Sequence, residues 1–159
     1  PELDPVIPAA GRLEQMADPE DLYLRPQSRF AASFLGFRNL IEGKIGPAGE
    51  VLTALGAFGP LATAKRPGER VTLILRPEGA RLAFGQPDTA AEIDPKGPTI
   101  RGRVISRLFT GQTYRVKVQT AANIPLTFDL PNRRPPPAAG RSIALILDPA
   151  SWIVIPEEP

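Results

Sequence analysis

The side chains able to do chemistry fall into three groups. Arg76-Pro77-Glu78 closes an apolar run with a cation and a carboxylate two residues apart; Asn132-Arg133-Arg134 precedes three prolines; Arg101, Arg103, Arg107, Arg115 and Lys117 share one alternation class over two successive strand-like segments. The first pattern suits a corner where a neighbouring chain is met, and suits equally a strand ending in a solvated turn. The second could donate hydrogen bonds to an anion, or form an exposed basic turn. The third could follow the backbone of a single-stranded nucleic acid, but such a groove also needs several exposed rings on which bases stack. Only Phe109 and Tyr114 lie near it, in a chain that is 6% aromatic. A solvated sheet exterior accounts for these cations with fewer demands.

The chain has no histidine and no cysteine. The commonest general base and the commonest metal ligand are therefore missing together, and Ser-His-Asp chemistry, thiolate catalysis, disulfides and Cys-held zinc are all excluded. A phosphate-binding loop requires G-x-x-x-x-G-K-[ST], and Gly43-Lys44 has neither the upstream glycine nor the following hydroxyl residue. Glu157-Glu158 sits between Pro156 and Pro159 and needs no catalytic explanation. No residue is assigned a catalytic, cofactor-binding or metal-binding role. Nineteen Lys and Arg against 17 acids leave a formal charge of +2, so the overall balance demands no polyanionic partner. With 42% hydrophobic residues, 23% charged residues and no run of about 18 apolar ones, the composition is that of a globular domain.

The elements that must position these groups are set by a repeat. Gly68-Glu69-Arg70-Val71-Thr72-Leu73-Ile74-Leu75-Arg76-Pro77 and Gly140-Arg141-Ser142-Ile143-Ala144-Leu145-Ile146-Leu147-Asp148-Pro149 are copies: a Gly turn, a strand, and a proline that stops it. Val71, Leu73 and Leu75 form one face, and Ile143, Leu145 and Leu147 take the matching places. Gly43-Lys44-Ile45 and Gly102-Arg103-Val104 echo each other upstream. Twenty prolines and 14 glycines fit short strands joined by many turns. The expected fold is mainly β, with two tandem antiparallel modules preceded by two short helices.

In chain order, 1–10 carries three prolines and is assigned no element, and Gly11 to Gln15 reads as a short strand. Asp18-Pro19-Glu20-Asp21 has the marks of a helix start, ended by Pro26. A second helix opens at Ser28 and closes at Gly36, with Phe30/Phe34 and Ala31/Leu35 forming one apolar stripe. Strands are expected over 40–45, 50–55, 60–64 and 70–76, then over 100–109, 112–120, 124–130, 142–147 and 152–155. The segment 85–98 reads as a surface connection between modules.

The run Gly11-Arg12-Leu13-Glu14-Gln15-Met16-Ala17-Asp18-Pro19-Glu20-Asp21-Leu22-Tyr23, Arg25-Pro26, then Ser28 to Gly36 and Asn39, resembles the end of the ATP-binding subunit of ABC-type importers. Arg76-Pro77-Glu78 after a strand, Gly102-x-Val104, Phe109-x-Gly111 and Val116-x-Val118 resemble the regulatory domain that follows there, the transport-associated OB (TOBE) domain. The resemblance implies OB-like modules, with 1–36 as the tail of a nucleotide-binding domain, 37–84 as the first module, 85–98 as the connection and 99–159 as the second. It implies a non-catalytic regulatory and dimerisation role in a piece of a longer polypeptide whose ATP and Mg²⁺ sites lie upstream, since the family's signature loop and switch histidine are not in this chain. The partners implied are a second copy, membrane permease subunits and a small effector, with no nucleic acid, at the cytoplasmic face of a membrane. Arg76, Pro77, Glu78, Asn132, Arg133 and Arg134 become the interface and regulatory candidates. The alternative is an OB-fold module that binds single-stranded nucleic acid.

Overall fold

The computed structural model describes residues 6–9, 12–16, 28–61, 65–83 and 98–157. The expected helix at Asp18 lies outside them. The lead-in holds a strand that its three prolines concealed: β1 (Val6–Ala9) pairs antiparallel with β2 (Arg12–Met16), and the register slips between Ile7 and Pro8. Proline brings no N–H to a ladder, so a slip at Pro8 has a local cause. Helix α1 (Arg29–Phe34) begins where its cap predicts. Ser28 is extended at φ −143°, its hydroxyl accepts from Ala31 N at 3.0 Å, and Gly36 at φ +90° follows the last turn.

Ten further strands form two five-stranded antiparallel sheets. The first runs in the order β12 (Trp152–Pro156), β6 (Arg70–Leu75), β3 (Leu40–Ile45), β4 (Val51–Thr53), β5 (Gly56–Phe58). The second runs β7 (Ala80–Leu82), β11 (Ser142–Leu147), β8 (Ile100–Phe109), β9 (Thr113–Thr120), β10 (Pro125–Pro131). The sheets have one plan, in which a central copy strand, β6 or β11, lies between a three-strand meander and a fifth strand.

The fifth strands are exchanged. β7 follows β6 in the chain but pairs with β11, and β12 follows β11 but pairs with β6. The expected division at 84 and 99 is therefore crossed twice, once in each direction. The crossings occur at Arg76-Pro77-Glu78 and Asp148-Pro149-Ala150, the positions where both copies carry the strand-stopping proline. They also touch: Arg76 N donates to Ser151 O at 3.4 Å, and Asp148 N donates to Gly79 O at 2.8 Å. Gly79 permits this approach, because a Cβ there would overlap the side chain of Ser151.

Exchange gives both sheets one apolar core. Val71, Leu73 and Leu75 are buried in it together with Ile143, Leu145 and Leu147, as the alternation predicts. The two copies differ on their other faces. Thr72 and Ile74 are fully buried, since Ala32 and Phe37 pack with Ile74 and Ile155 in a second small core. Ala32 thus packs α1 on the β body, while the helix also meets β1 and β2. Ala144 and Ile146, in the corresponding places on β11, stay half-exposed.

One expected strand is corrected, and two unexpected ones stand nearby. Residues 60 and 61 are not in a strand, the cis Gly59–Pro60 bond follows β5, and 62–64 lie outside the described residues. The strand in this region is β5, hidden because Gly56 reads as a turn residue. Gly56 at φ +125° opens it, held by Thr53, whose hydroxyl donates to Gly56 O at 2.9 Å and accepts from Leu55 N at 3.0 Å. β7 is likewise a strand that the sequence does not announce.

Candidate functional site

Pro77 and Glu78, at the corner that follows β6, form one wall of a cleft of about 280 Å³. Leu35 to Asn39, which lead from α1 into β3, form the second wall, and Arg115, Thr127 and Asp129 on β9 and β10 form the third. Segments far apart in sequence therefore converge here from both sheets.

Asn39 fixes the convergence. It is 2% exposed, its Nδ2 donates to Leu75 O at 2.9 Å and to Thr127 O at 2.8 Å, and its Oδ1 accepts from Thr127 N at 2.8 Å. One amide thus satisfies backbone groups on β6 of the first sheet and β10 of the second. Buried backbone groups without partners are rare, so this side chain does structural work that no other residue type of its size can do with both donor and acceptor. The corner is tied to the same strand, since Asp129 N donates to Pro77 O at 2.8 Å.

Charges line the cleft in pairs. Arg115 Nε and Nη2 reach the two carboxylate oxygens of Asp129 at 3.0 and 3.4 Å. The hydrogen bond to Asp129, and then its charge, raise the Arg115 pKa above the ordinary guanidinium value, so this cation is fixed at every accessible pH. Arg76 lies with its guanidinium 5.9 Å from the Phe37 ring and 4.0 Å from Glu78 Oε1, its side chain only 12% exposed. The ring and the carboxylate together hold it behind the wall. Arg38 and Glu78 stand at the surface of the cleft. The result is a polar notch with both signs of charge and an apolar floor, suited to receiving a protein segment or a small polar molecule, and without a nucleophile-and-base pair.

Of the sequence candidates, Pro77 and Glu78 line the cleft and Arg76 stands directly behind them. Asn132, Arg133 and Arg134 do not join them. They are exposed in the loop after β10 and none lines the cleft. The residue that sequence reasoning passed over is Asn39, which entered it only as part of a resembling run. Its signal was available: a lone amide between Phe37 and the apolar strand Leu40–Ile45 is a polar group at a position bound for burial.

The basic set does not share one face. A bulge at Ile105 shifts the β8–β9 register, with Val104 opposite Val118 but Ser106 opposite Lys117. Arg107 falls opposite the buried Val116 and so leaves the class of Arg101 and Arg103. Its Nη1 donates to Pro136 O at 2.6 Å and its guanidinium lies 5.7 Å over the Tyr114 ring, which also packs on Phe109 at 5.0 Å. Both rings near the cations are thus on the opposite face from Lys117.

The family model that matches, described as TOBE domain, covers residues 73–155. Curated relatives include the Spermidine/putrescine import ATP-binding protein PotA of Pseudomonas aeruginosa (strain UCBPP-PA14), 37% identical over 131 residues that make up 79% of this chain and 35% of that protein. PotA 1 of Pseudomonas aeruginosa PAO1 is 31% identical over 91% of this chain and 39% of its own length, and the PotA of Frankia alni is 31% identical over 72% and 27%. The chain spans roughly a third of the length of these relatives. Among solved structures, the cytoplasmic molybdate-binding protein ModG superposes with a TM-score of 0.57 over 76% of this chain and 98% of that one, at 12% identity. That likeness concerns the fold.

Proposed function

The chain belongs to the TOBE domain family, and from that premise we propose that it is the C-terminal regulatory domain of the ATP-binding subunit of an ABC-type importer, non-catalytic itself, which holds two such subunits together. The observation that carries the proposal is similarity to import ATP-binding proteins over as much as 91% of the chain, α1 and the cleft included. Those relatives are named for spermidine and putrescine, and this cargo class comes to the chain as part of the proposal. ATP and Mg²⁺ then belong to the ATPase domain of the same subunit, permease subunits are its membrane partners, and the domain works at the cytoplasmic face.

A contact between regulatory domains does not depend on nucleotide. It keeps two ATPase domains at high effective concentration while they part and close. The cleft supports this role because its walls come from both sheets and from the segment that would lead in from an ATPase domain. The corner of Arg76, Pro77 and Glu78, whose last two residues line the cleft, is the proposed contact with a neighbouring chain, and the exposed Asn132, Arg133 and Arg134 are a place for a small anionic effector.

Transplantation tests the proposal. The chain replaces the matching segment of the Pseudomonas aeruginosa relative, and spermidine uptake is measured in cells without their own copy. Uptake near the parental level is expected; background uptake by a chimera that assembles normally overturns the proposal. Sedimentation of the chain alone tests the dimer, which is expected at tens of micromolar and excluded by a monomer there.

A further inference from the structure

The second sheet carries a charge that the whole chain hides. Eight cationic side chains lie between 98 and 157, against Asp129, Asp148 and Glu157. Register puts much of this charge on one outer face. Arg81 lies opposite Ile146, Arg101 opposite Ala144, Arg103 opposite Ser142 and Gln119, Lys117 opposite Ser106, and Arg115 opposite Leu108. Residues paired across antiparallel strands project on the same side, so these cations form rows with small or uncharged residues between them. All five are exposed. Arg115 is neutralised by Asp129, and Arg103 donates to Gly140 O at 3.0 Å. Among the described residues, Arg81, Arg101 and Lys117 meet no carboxylate. At the end of this face stands Leu108, 61% exposed, the most exposed large apolar side chain described.

We propose that this face, from Arg81 through Arg101 to Lys117 with Leu108 at its end, docks a protein that presents carboxylates around an apolar contact. Of the five cations and Leu108, Arg115 alone also lines the cleft, and Asp129 already neutralises it. An apolar anchor bordered by arginines is the composition of a protein interface, and unopposed cations call for a partner of opposite sign. Other occupants fit less well. A single-stranded nucleic acid needs rings to stack on, and Tyr114 and Phe109 lie on the other side of the strands. A second copy laid face to face would oppose cation to cation. A bilayer would find only the exposed Leu108 and the half-exposed Ile146 among the cations of the face, too little to anchor it.

The test is fluorescence anisotropy on the whole chain with a labelled peptide of repeated Glu-Glu-Leu, beside an all-Glu peptide, a Lys-Lys-Leu repeat and an oligothymidylate. The Glu-Glu-Leu peptide is expected to bind, with affinity falling about tenfold as NaCl rises from about 50 to about 300 mM. Arg101→Glu with Lys117→Glu should abolish binding, and the milder Arg101→Gln with Lys117→Gln should weaken it severalfold, while Arg66→Glu, on a loop of the first sheet, leaves it unchanged. Leu108→Ser should weaken the Glu-Glu-Leu peptide and leave the all-Glu peptide as it was. Absence of binding, equal loss from Arg66→Glu, or tighter binding of the oligothymidylate would overturn the proposal.

Discussion

Asn39 and Thr127 are joined by reciprocal hydrogen bonds, 2.8 Å in each direction, across 88 positions of sequence. A side-chain amide here takes the place of a neighbouring strand: it offers Thr127 the acceptor and donor that a backbone would offer, and turns its second N–H to Leu75 O. The two sheets are locked at this point by polarity rather than by apolar area.

Asn39→Ala should therefore be among the most damaging single changes in the chain. It strands Thr127 N, Thr127 O and a share of Leu75 O, and a loss of about 3 kcal/mol is expected from buried groups left unpaired. Urea denaturation measures it. Asn39→Asp keeps the acceptor and loses the donor, so it should fall by a similar amount near neutral pH; a change under about 1 kcal/mol in both variants would remove Asn39 from this role.

Gly79→Ala tests the touching crossovers. The added methyl meets the Ser151 side chain, and a loss of about 1–3 kcal/mol is expected, as for other overpacked sites. Ser151→Gly in the same chain removes the obstacle. A double-mutant cycle should show the pair less damaging than the sum of the two, and strict additivity would mean that the approach is not what Gly79 provides.

Leu73→Ala and Leu145→Ala probe equivalent places in the two copies. Each side chain is 0% exposed, and each truncation should cost about 2–5 kcal/mol. Because one core spans both sheets, either variant should unfold in a single transition at a lower denaturant midpoint; two separated transitions would show that the sheets melt independently.

Thr72→Val should stabilise. Thr72 is wholly buried between Glu42 and Ile155 in the ladder, and among the described residues its hydroxyl has no hydrogen-bond partner. Replacing that hydroxyl by a methyl should raise stability by about 1 kcal/mol in thermal melts, and a lower midpoint would reveal a partner for the hydroxyl.

The repeat, the inward triplets and most long strands were legible because each spans enough residues for alternation to show. β5 and β7 were not: three residues hold a single alternation, and Gly56 reads as a turn. The exchange of β7 and β12 was also illegible, because β6 and β11 are copies and each fifth strand finds an acceptable neighbour in either. The crossovers that exchange them touch at Gly79 and Ser151, an approach that no periodicity reports. One extra residue at Ile105 was enough to send Arg107 to the other face, since strand period is two and a bulge inverts everything beyond it. The cleft was half visible, as Pro77 and Glu78 carry a sequence mark, whereas Asn39 and Thr127 acquire their meaning only when brought together.

The exchanged fifth strands have a consequence for continuity of the chain. If the connection between 83 and 98 were severed, one fragment would hold β3 to β7 and the other β8 to β12, and each would contain a strand that completes the other's sheet. The two pieces would be complementary in the manner of two single-repeat chains that have traded arms. The fit between the halves thus resides in the exchanged arms together with the shared core and the Asn39–Thr127 bonds.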